Sequence, residues 1–251
     1  MDHTHRRPSW IFLTVLAVFL ATGGVLWASD GVDIGTRMLV FLFVVAGWVV
    51  SLCLHEFGHA LTAYKGGDWT IPEKGYLTLN PLKYTNALLS IVLPLVFVVL
   101  GGIGLPGGAV WVQRGLLRSK KIDSLVSAMG PLSNAVFAVA LAVTAANWST
   151  EHAVFFSAIA YLAMLQVTAT VLNLLPVPGL DGFGILEPWL PREWSRNAAK
   201  IAPFGMLAVF VLLFHPVING LFFDFVYWLL ELLGVPLQLV GLGGGLFRFW
   251  R

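Results

Sequence analysis

Long apolar runs, separated by short polar connections, dominate the chain. A run of about 20 apolar residues is long enough for an α-helix to cross the hydrocarbon core of a bilayer. The runs predict helices at about 10–28, 37–64, 85–105, 123–146, 153–175 and 200–219, followed by a further segment at about 220–240. No polar connection is long enough for a separate soluble domain. We therefore expect an all-α polytopic membrane protein with about six transmembrane helices.

Composition agrees with this pattern. Of the 251 residues, 58% are hydrophobic and 11% are charged, whereas soluble domains carry about a quarter charged residues. The formal net charge of +2 is too small to indicate a nucleic-acid partner. The only cysteine, Cys53, excludes an intrachain disulfide.

The first run is longer than the apolar part of a usual signal peptide and ends around Trp27, a poor cleavage context, so we expect a retained helix.

The distribution of lysine and arginine predicts the orientation in the membrane. Arg6 and Arg7 place the N-terminus in the cytoplasm, and the acidic loop 29–36 is then outside. Helix 37–64 runs inward. A spanning helix at 85–105 would place the most basic connection, which follows it, outside. We therefore predict that 85–105 re-enters the membrane and returns to the cytoplasmic side.

The sequence His55-Glu56-Phe57-Gly58-His59 lies at the end of an apolar helix whose preceding 17 residues, 38–54, carry no charge. Histidines four residues apart lie on one helix face and can hold a zinc ion together. The glutamate between them can act as a general base toward water. Such residues are costly within a membrane unless they have a function. The motif therefore predicts zinc ligation by His55 and His59, with chance or a pair of interfacial histidines as the alternatives.

A catalytic zinc needs a third protein ligand, and Asp181 is the best candidate. Pro176 and Pro178 end the apolar helix that contains Asn173 and leave an extended segment that can direct Asp181 toward a metal. The alternative is that Asp181 caps a helix over 183–189.

Polar residues on two other helices are further candidates. Asn134, in Gly130-Pro131-Leu132-Ser133-Asn134, can donate to a developing oxyanion or form an interhelical hydrogen bond. Gly130 and Pro131 allow another helix to approach closely. Gln166, Thr170 and Asn173 form a polar stripe, which either faces the zinc or joins two helices.

The motifs HEFGH at 55–59, GPLSN at 130–134 and NLLPVPGLDG at 173–182 resemble the site-2 protease family of intramembrane zinc metalloproteases. Within it, the chain resembles the small bacterial branch without PDZ or CBS domains, because GYLTLNPLKYTN at 75–86 and GGIGLPGGAV at 101–110 also match. The resemblance covers about residues 37–190. It implies a catalytic core at 37–190. The apolar runs predict an N-terminal helix and outer loop at 1–36 and C-terminal membrane helices at 191–251.

The resemblance assigns a role to each matching residue. It implies that His55, His59 and Asp181 bind Zn²⁺, that Glu56 activates water and that Asn134 assists near the scissile carbonyl. The three-helix catalytic core would be 37–64, 123–146 and 153–175. A β-like edge would lie at 75–80, so that Gly75 and Asn80, together with Asn173, would bind substrate. Gly179 stands where many members of the branch have a third proline, which predicts a looser loop before Asp181.

The family cleaves transmembrane segments of other membrane proteins close to the cytoplasmic side. The resemblance therefore implies single-span substrates and the lipid bilayer of a bacterial inner or plasma membrane. Because the sequence offers no regulatory domain, we expect control by substrate presentation, a prior cleavage or another membrane protein. The alternative is a non-proteolytic zinc-binding scaffold or a chaperone-like binder of transmembrane segments. The presence of Glu56 favours the protease. A metal transporter would need ionisable groups along a whole pathway, and here they cluster near one face.

Overall fold

The computed structural model describes residues 7–29, 31–84 and 110–250. Within these ranges the chain is all-α, and no strand is present. The helices are α1 (Trp10–Trp27), α2 (Ile34–Gly66), α3 (Lys120–Ala146), α4 (Ala153–Asn173), α5 (Asp181–Leu186), α6 (Arg192–Leu213), α7 (Pro216–Leu232) and α8 (Leu237–Phe247). The predicted re-entrant segment at 85–105 lies outside the described residues.

The membrane character predicted from the apolar runs is confirmed. Five of the described helices, α1, α2, α3, α4 and α6, are long and apolar enough to cross a bilayer. The number rises to six if α7 and α8, which are bent by 118° at their junction, form one broken span. The protein is therefore an all-α polytopic membrane protein.

Two of the helices begin before their apolar runs, at polar capping residues. The Asp33 side chain accepts a hydrogen bond from the Thr36 backbone N–H at 2.7 Å, so that α2 starts at Ile34 rather than 37. Ser119 accepts from the Ile122 N–H at 3.3 Å and starts α3 at Lys120 rather than 123. Such caps satisfy backbone donors that have no partner within the helix.

Among the described helices α4 is the most enclosed, since α2, α3 and α8 pack against it, and α1 packs against α2. A Cβ atom at Gly47 of α2 would lie 2.5 Å from Leu162 of α4 and 2.8 Å from Phe19 of α1. Small residues allow this close approach between helices, which strengthens packing where lipid supplies no hydrophobic driving force. The three helices predicted to form the core, α2, α3 and α4, therefore do pack together.

The predicted β-like edge at 75–80 is wrong. Residues Tyr76–Thr78 form one turn of 3-10 helix, flanked by Gly75 and Leu79, which both have positive φ angles, 74° and 56°. Left-handed residues at both ends bend the backbone, so this stretch does not present an extended edge.

The predicted single helix at 200–219 is also wrong. Helix α6 ends at Leu213 and α7 begins at Pro216, because proline has no N–H to continue α6 but fits the first position of a new helix. The undecided tail at 220–240 contains the rest of α7, whose end brings Gly234 next to Ala146 of α3, and the start of α8, which packs across α4.

Candidate metal centre

His55 and His59 lie one turn apart on α2 and face the same point. Their Nε2 atoms are 3.0 Å apart, and only 5% and 8% of the two residues is exposed. The helical repeat produces this arrangement, because side chains at i and i+4 lie one above the other.

Asp181 reaches the histidines from a separate part of the chain. After α4 ends at Asn173, Pro176 and Pro178 prevent a continued helix, and the chain turns back to begin α5 at Asp181. The Asp181 Oδ2 atom lies 3.2 Å from His55 Nε2, and Oδ1 lies 3.4 Å from His59 Nε2. The capping position of α5 is Leu180, so Asp181 does not act as the predicted N-cap.

The charge state of Asp181 suits a ligand. Burial by itself raises the pKa of this carboxyl, but the charge of His59 and the hydrogen bonds from both histidines hold its pKa below the usual range. Asp181 is therefore ionised and can donate electron pairs to a cation.

The three donor side chains fit a tetrahedral metal ion. Their ligand atoms form the group that could hold a metal among the described residues. With bonds of about 2.0–2.1 Å, a tetrahedral zinc separates its ligand atoms by ~3.4 Å, close to the 3.0, 3.2 and 3.4 Å found here. Two histidines and one carboxylate leave a fourth position open, which is the arrangement of catalytic rather than structural zinc.

A backbone contact fixes the His59 ring. Its Nδ1 lies 2.7 Å from the Val126 carbonyl of α3 and donates to it. If a metal ion takes the place of the proton that Nε2 shares with Asp181, the lone pair of Nε2 faces that ion. Hydrogen bonds of this kind orient metal-binding histidines and raise their basicity.

Gly130 of α3 leaves the space that the metal needs. A Cβ atom at this position would lie 2.2 Å from His59 Nε2 and 2.6 Å from His55 Nε2. Only glycine permits the backbone to come so close to the ligand atoms. The predicted close approach at Gly130 is therefore made to the two histidines themselves.

Glu56 is 1% exposed and lines a cavity of about 520 Å³ together with His55, His59 and Asp181. The Val110 backbone N–H donates to the Glu56 carboxylate. Atom Oε2 of Glu56 has no partner among the described residues. A carboxylate oxygen beside the metal ligands is therefore available to take a proton.

The rest of the cavity wall comes from five parts of the chain. The non-helical residues Val110, Trp111 and Val112 lie on one side, and Met206 of α6 contributes as well. The remaining lining residues are Arg114, Val126, Ser127, Asn173, Gly179 and Leu180. The sequence motifs assigned no site role to Trp111 and Val112, whereas Val110 ends the GGIGLPGGAV stretch at 101–110 that resembles the family.

The polar stripe on α4 divides between the two predicted roles. Ser51 of α2 donates to Gln166, and Asn134 Oδ1 lies 3.4 Å from the same Ser51 hydroxyl. These three residues join α2, α3 and α4 within the membrane. Asn173, 3% exposed, lines the cavity instead, and its Nδ2 has no partner among the described residues.

Three residues of the predicted site lie elsewhere. Asn134, Gly75 and Asn80 are not among the residues that line the cavity in the described part of the chain. Asn80 instead accepts a hydrogen bond from the Leu82 N–H at 3.0 Å, and the Gly75 carbonyl accepts from the Thr78 hydroxyl at 2.6 Å.

Gly179 packs closely rather than loosening the loop before Asp181. Its φ angle is 97°, and a Cβ would lie 2.3 Å from the Ala202 carbonyl of α6. Proline, with φ fixed near −65°, could not adopt this conformation. The glycine therefore lets α6 restrain the segment that carries Asp181.

The chain is similar to proteins named as zinc metalloproteases. It is 52% identical over 246 residues to the "Putative zinc metalloprotease Rip2" of Mycolicibacterium smegmatis, covering 97% of this chain and 95% of the relative. The protein of the same name from Mycobacterium tuberculosis is 46% identical over the same shares. "Putative zinc metalloprotease YwhC" of Bacillus subtilis is 29% identical over 182 residues, 69% of this chain and 81% of the relative. No protein-family profile and no solved structure matches the chain.

Proposed function

The chain belongs to the site-2-protease-like family of zinc metalloproteases that includes the Rip2 proteins, and on this premise we propose that it is an intramembrane zinc endopeptidase. The observation that carries the proposal is the meeting of His55, His59 and Asp181, at 3.0–3.4 Å, beside the buried Glu56 in a bundle of membrane-length helices. Its substrates are proposed to be transmembrane segments of other membrane proteins.

The residues divide the reaction between them. His55, His59 and Asp181 would hold the zinc ion. When bound, zinc acts as a Lewis acid that polarises the scissile carbonyl and lowers the pKa of water toward about 7. Glu56 Oε2 accepts a proton from the attacking water and returns it to the amine nitrogen as the C–N bond breaks. The burial of Glu56 keeps this proton transfer away from bulk solvent.

Two further groups are proposed to hold the substrate. Asn173 belongs to the cavity wall, and its buried Nδ2 amide, which has no partner among the described residues, is proposed to donate to a substrate carbonyl. Peptide bonds in a helix are shielded, so the substrate must unwind to be cut. The non-helical backbone of Val110–Val112 supports an unwound segment along the cavity. The role of Asn134 near the scissile carbonyl stays a prediction.

Replacing Glu56 by glutamine tests the proposal, because the change removes the proton acceptor and keeps the shape. Purified wild type and Glu56→Gln should both contain about one zinc per chain. Cleavage of single-span reporter proteins should fall at least ~10²-fold in the variant. The matched control is Glu231→Gln, an exposed glutamate on α7, which should cleave normally.

Two results would overturn the proposal: zinc missing from the wild type, or unchanged cleavage by Glu56→Gln. Wild-type protein that binds zinc and retains the reporter without cutting it would support the scaffold or chaperone-like alternative.

The cavity is proposed to open near the cytoplasmic face of the cell membrane. Lys65, Lys74 and Arg114 surround the end of α2 that carries the histidines, and basic residues mark the cytoplasmic side of membrane proteins.

Cysteine labelling tests this orientation. A membrane-impermeant maleimide should label Lys121→Cys, an exposed position, only after the cells are permeabilised. It should label Val32→Cys, 58% exposed between α1 and α2, in intact cells. Cys53 is 1% exposed and does not interfere. Labelling of position 121 in intact cells would contradict the proposed orientation.

A further inference from the structure

Asp68 is a fully buried carboxylate that lies outside the catalytic cavity. It follows α2 directly, after Gly67, and is 0% exposed. No ion pair involves it among the residues at 7–29, 31–84 and 110–250. A buried charge is costly unless hydrogen bonds satisfy it. The hydrogen-bond donors around Asp68 must therefore stabilise its buried negative charge.

Its two oxygens serve different partners. Oδ1 accepts from the Thr70 backbone N–H at 3.1 Å and from the Thr70 hydroxyl at 2.6 Å. Oδ2 accepts from the Gln113 backbone N–H at 2.7 Å, across 45 residues of sequence. The first oxygen closes a local turn, and the second attaches that turn to a distant segment.

The segment attached by Asp68 is a wall of the catalytic cavity. Val110, Trp111 and Val112, which immediately precede Gln113, line the cavity, and the Val110 N–H donates to Glu56. The same turn region holds this wall at a second point, since Lys74 Nζ donates to the Trp111 carbonyl at 2.9 Å. Asp68 and Lys74, which both lie outside the cavity, thus help to set the position of this wall relative to Glu56.

We propose that Asp68 is a positioning residue for peptide cleavage, which fixes the Val110–Gln113 wall in register with Glu56. The inference rests on the proposed function of the site. A substrate placed against a wall displaced by about 1 Å can lose ~10²-fold in rate, because the scissile bond no longer lies in reach of the catalytic groups.

The substitution Asp68→Asn distinguishes the roles of the two carboxylate oxygens. Asparagine keeps one acceptor, which can satisfy both Thr70 donors, but its NH₂ group then faces the Gln113 N–H as a second donor. The matched control is Thr70→Val, which removes the hydroxyl from Oδ1 and leaves the Oδ2–Gln113 bond intact.

Hydrogen–deuterium exchange measures the attachment without requiring activity. Exchange of the peptide containing Gln113 should accelerate roughly tenfold or more in Asp68→Asn, as expected for loss of a charge-assisted hydrogen bond. It should remain at the wild-type rate in Thr70→Val. Zinc content should be unchanged in both variants, because neither residue contacts a metal ligand.

Kinetics measure the consequence for catalysis. In Asp68→Asn, kcat for the reporter should fall at least tenfold while KM changes little, since the substrate still enters the cavity but lies out of register with Glu56. Thr70→Val should retain the wild-type kcat.

The inference is overturned if Asp68→Asn keeps the wild-type exchange rate of the Gln113 peptide or the wild-type kcat. It is also overturned if Thr70→Val shows the same faster exchange and the same lower kcat as Asp68→Asn, because a general weakening of the turn would cause that result. Failure of the proposed function is recognised separately. If the wild type cleaves no reporter, or Glu56→Gln still cleaves, the catalytic part of the inference falls with it. The exchange rates then test only whether Asp68 attaches the segment at Gln113.

Discussion

Gly130→Ala is expected to abolish zinc binding, and with it all cleavage. The added methyl carbon would lie 2.2 Å from His59 Nε2 and 2.6 Å from His55 Nε2, in the space between the ligand atoms. Both distances are far below van der Waals contact, and the atom displaced is a zinc-binding nitrogen. Either the methyl group occupies the metal position or α3 moves away from α2. The measurement is zinc content by mass spectrometry, with a chelator competition for residual affinity.

Two control variants separate metal exclusion from helix displacement. At Gly58 of α2 a Cβ would meet the Met129 carbonyl and the Ser133 hydroxyl of α3, each at 2.7 Å, so Gly58→Ala also pushes α3 away, through contacts with α3 rather than with His55. At Gly220 of α7 a Cβ meets nothing within 4 Å. We expect zinc to be retained fully in Gly220→Ala and better in Gly58→Ala than in Gly130→Ala. A Gly130→Ala protein with a full complement of zinc would contradict the geometry of the site.

Asp181→Asn is expected to weaken zinc binding by more than ~100-fold. Loss of a residue that only hydrogen-bonds to a metal ligand costs ~10–100-fold, and loss of a ligand should cost more. The asparagine keeps the size of the side chain but loses the negative charge that faces His55 and His59 at 3.2 and 3.4 Å. Two neutral imidazoles then remain as the main donors, fewer than the three protein ligands of catalytic zinc sites. Cleavage should fall in parallel with zinc occupancy.

The effect should be specific to the metal. Because Leu180 holds the capping position of α5, the substitution removes no helix cap, and the helix content measured by circular dichroism should be unchanged. The control is Asp224→Asn, an exposed aspartate on α7. Unchanged zinc affinity in Asp181→Asn would show that a different residue supplies the third ligand.

The spans of the bundle could be predicted because the bilayer sets their length and excludes charge. The apolar runs identified α1, α2, α3 and α4. They missed the first turns of α2 and α3, which begin at the polar capping residues Asp33 and Ser119. Hydropathy also could not detect the break before Pro216, since apolar residues continue on both sides of it.

The metal ligands could be predicted to different degrees. The i, i+4 spacing of His55 and His59 needs only the helical repeat. Asp181 was found from the prolines that interrupt the chain before it. The predicted edge at 75–80 failed because the left-handed conformations of Gly75 and Leu79 bend it, and the non-helical backbone beside Glu56 is instead Val110–Val112.

Local sequence patterns were sufficient to predict the membrane class, the helices α1 to α4 and the candidate metal motif His55–His59, because these depend on local composition and on the period of one helix. The surroundings of the motif follow from tertiary packing. Gly130 leaves room for the metal, and Asp68 holds a cavity wall through Gln113. Both act on residues more than 40 positions away, and such contacts arise from packing between segments, which no local pattern encodes.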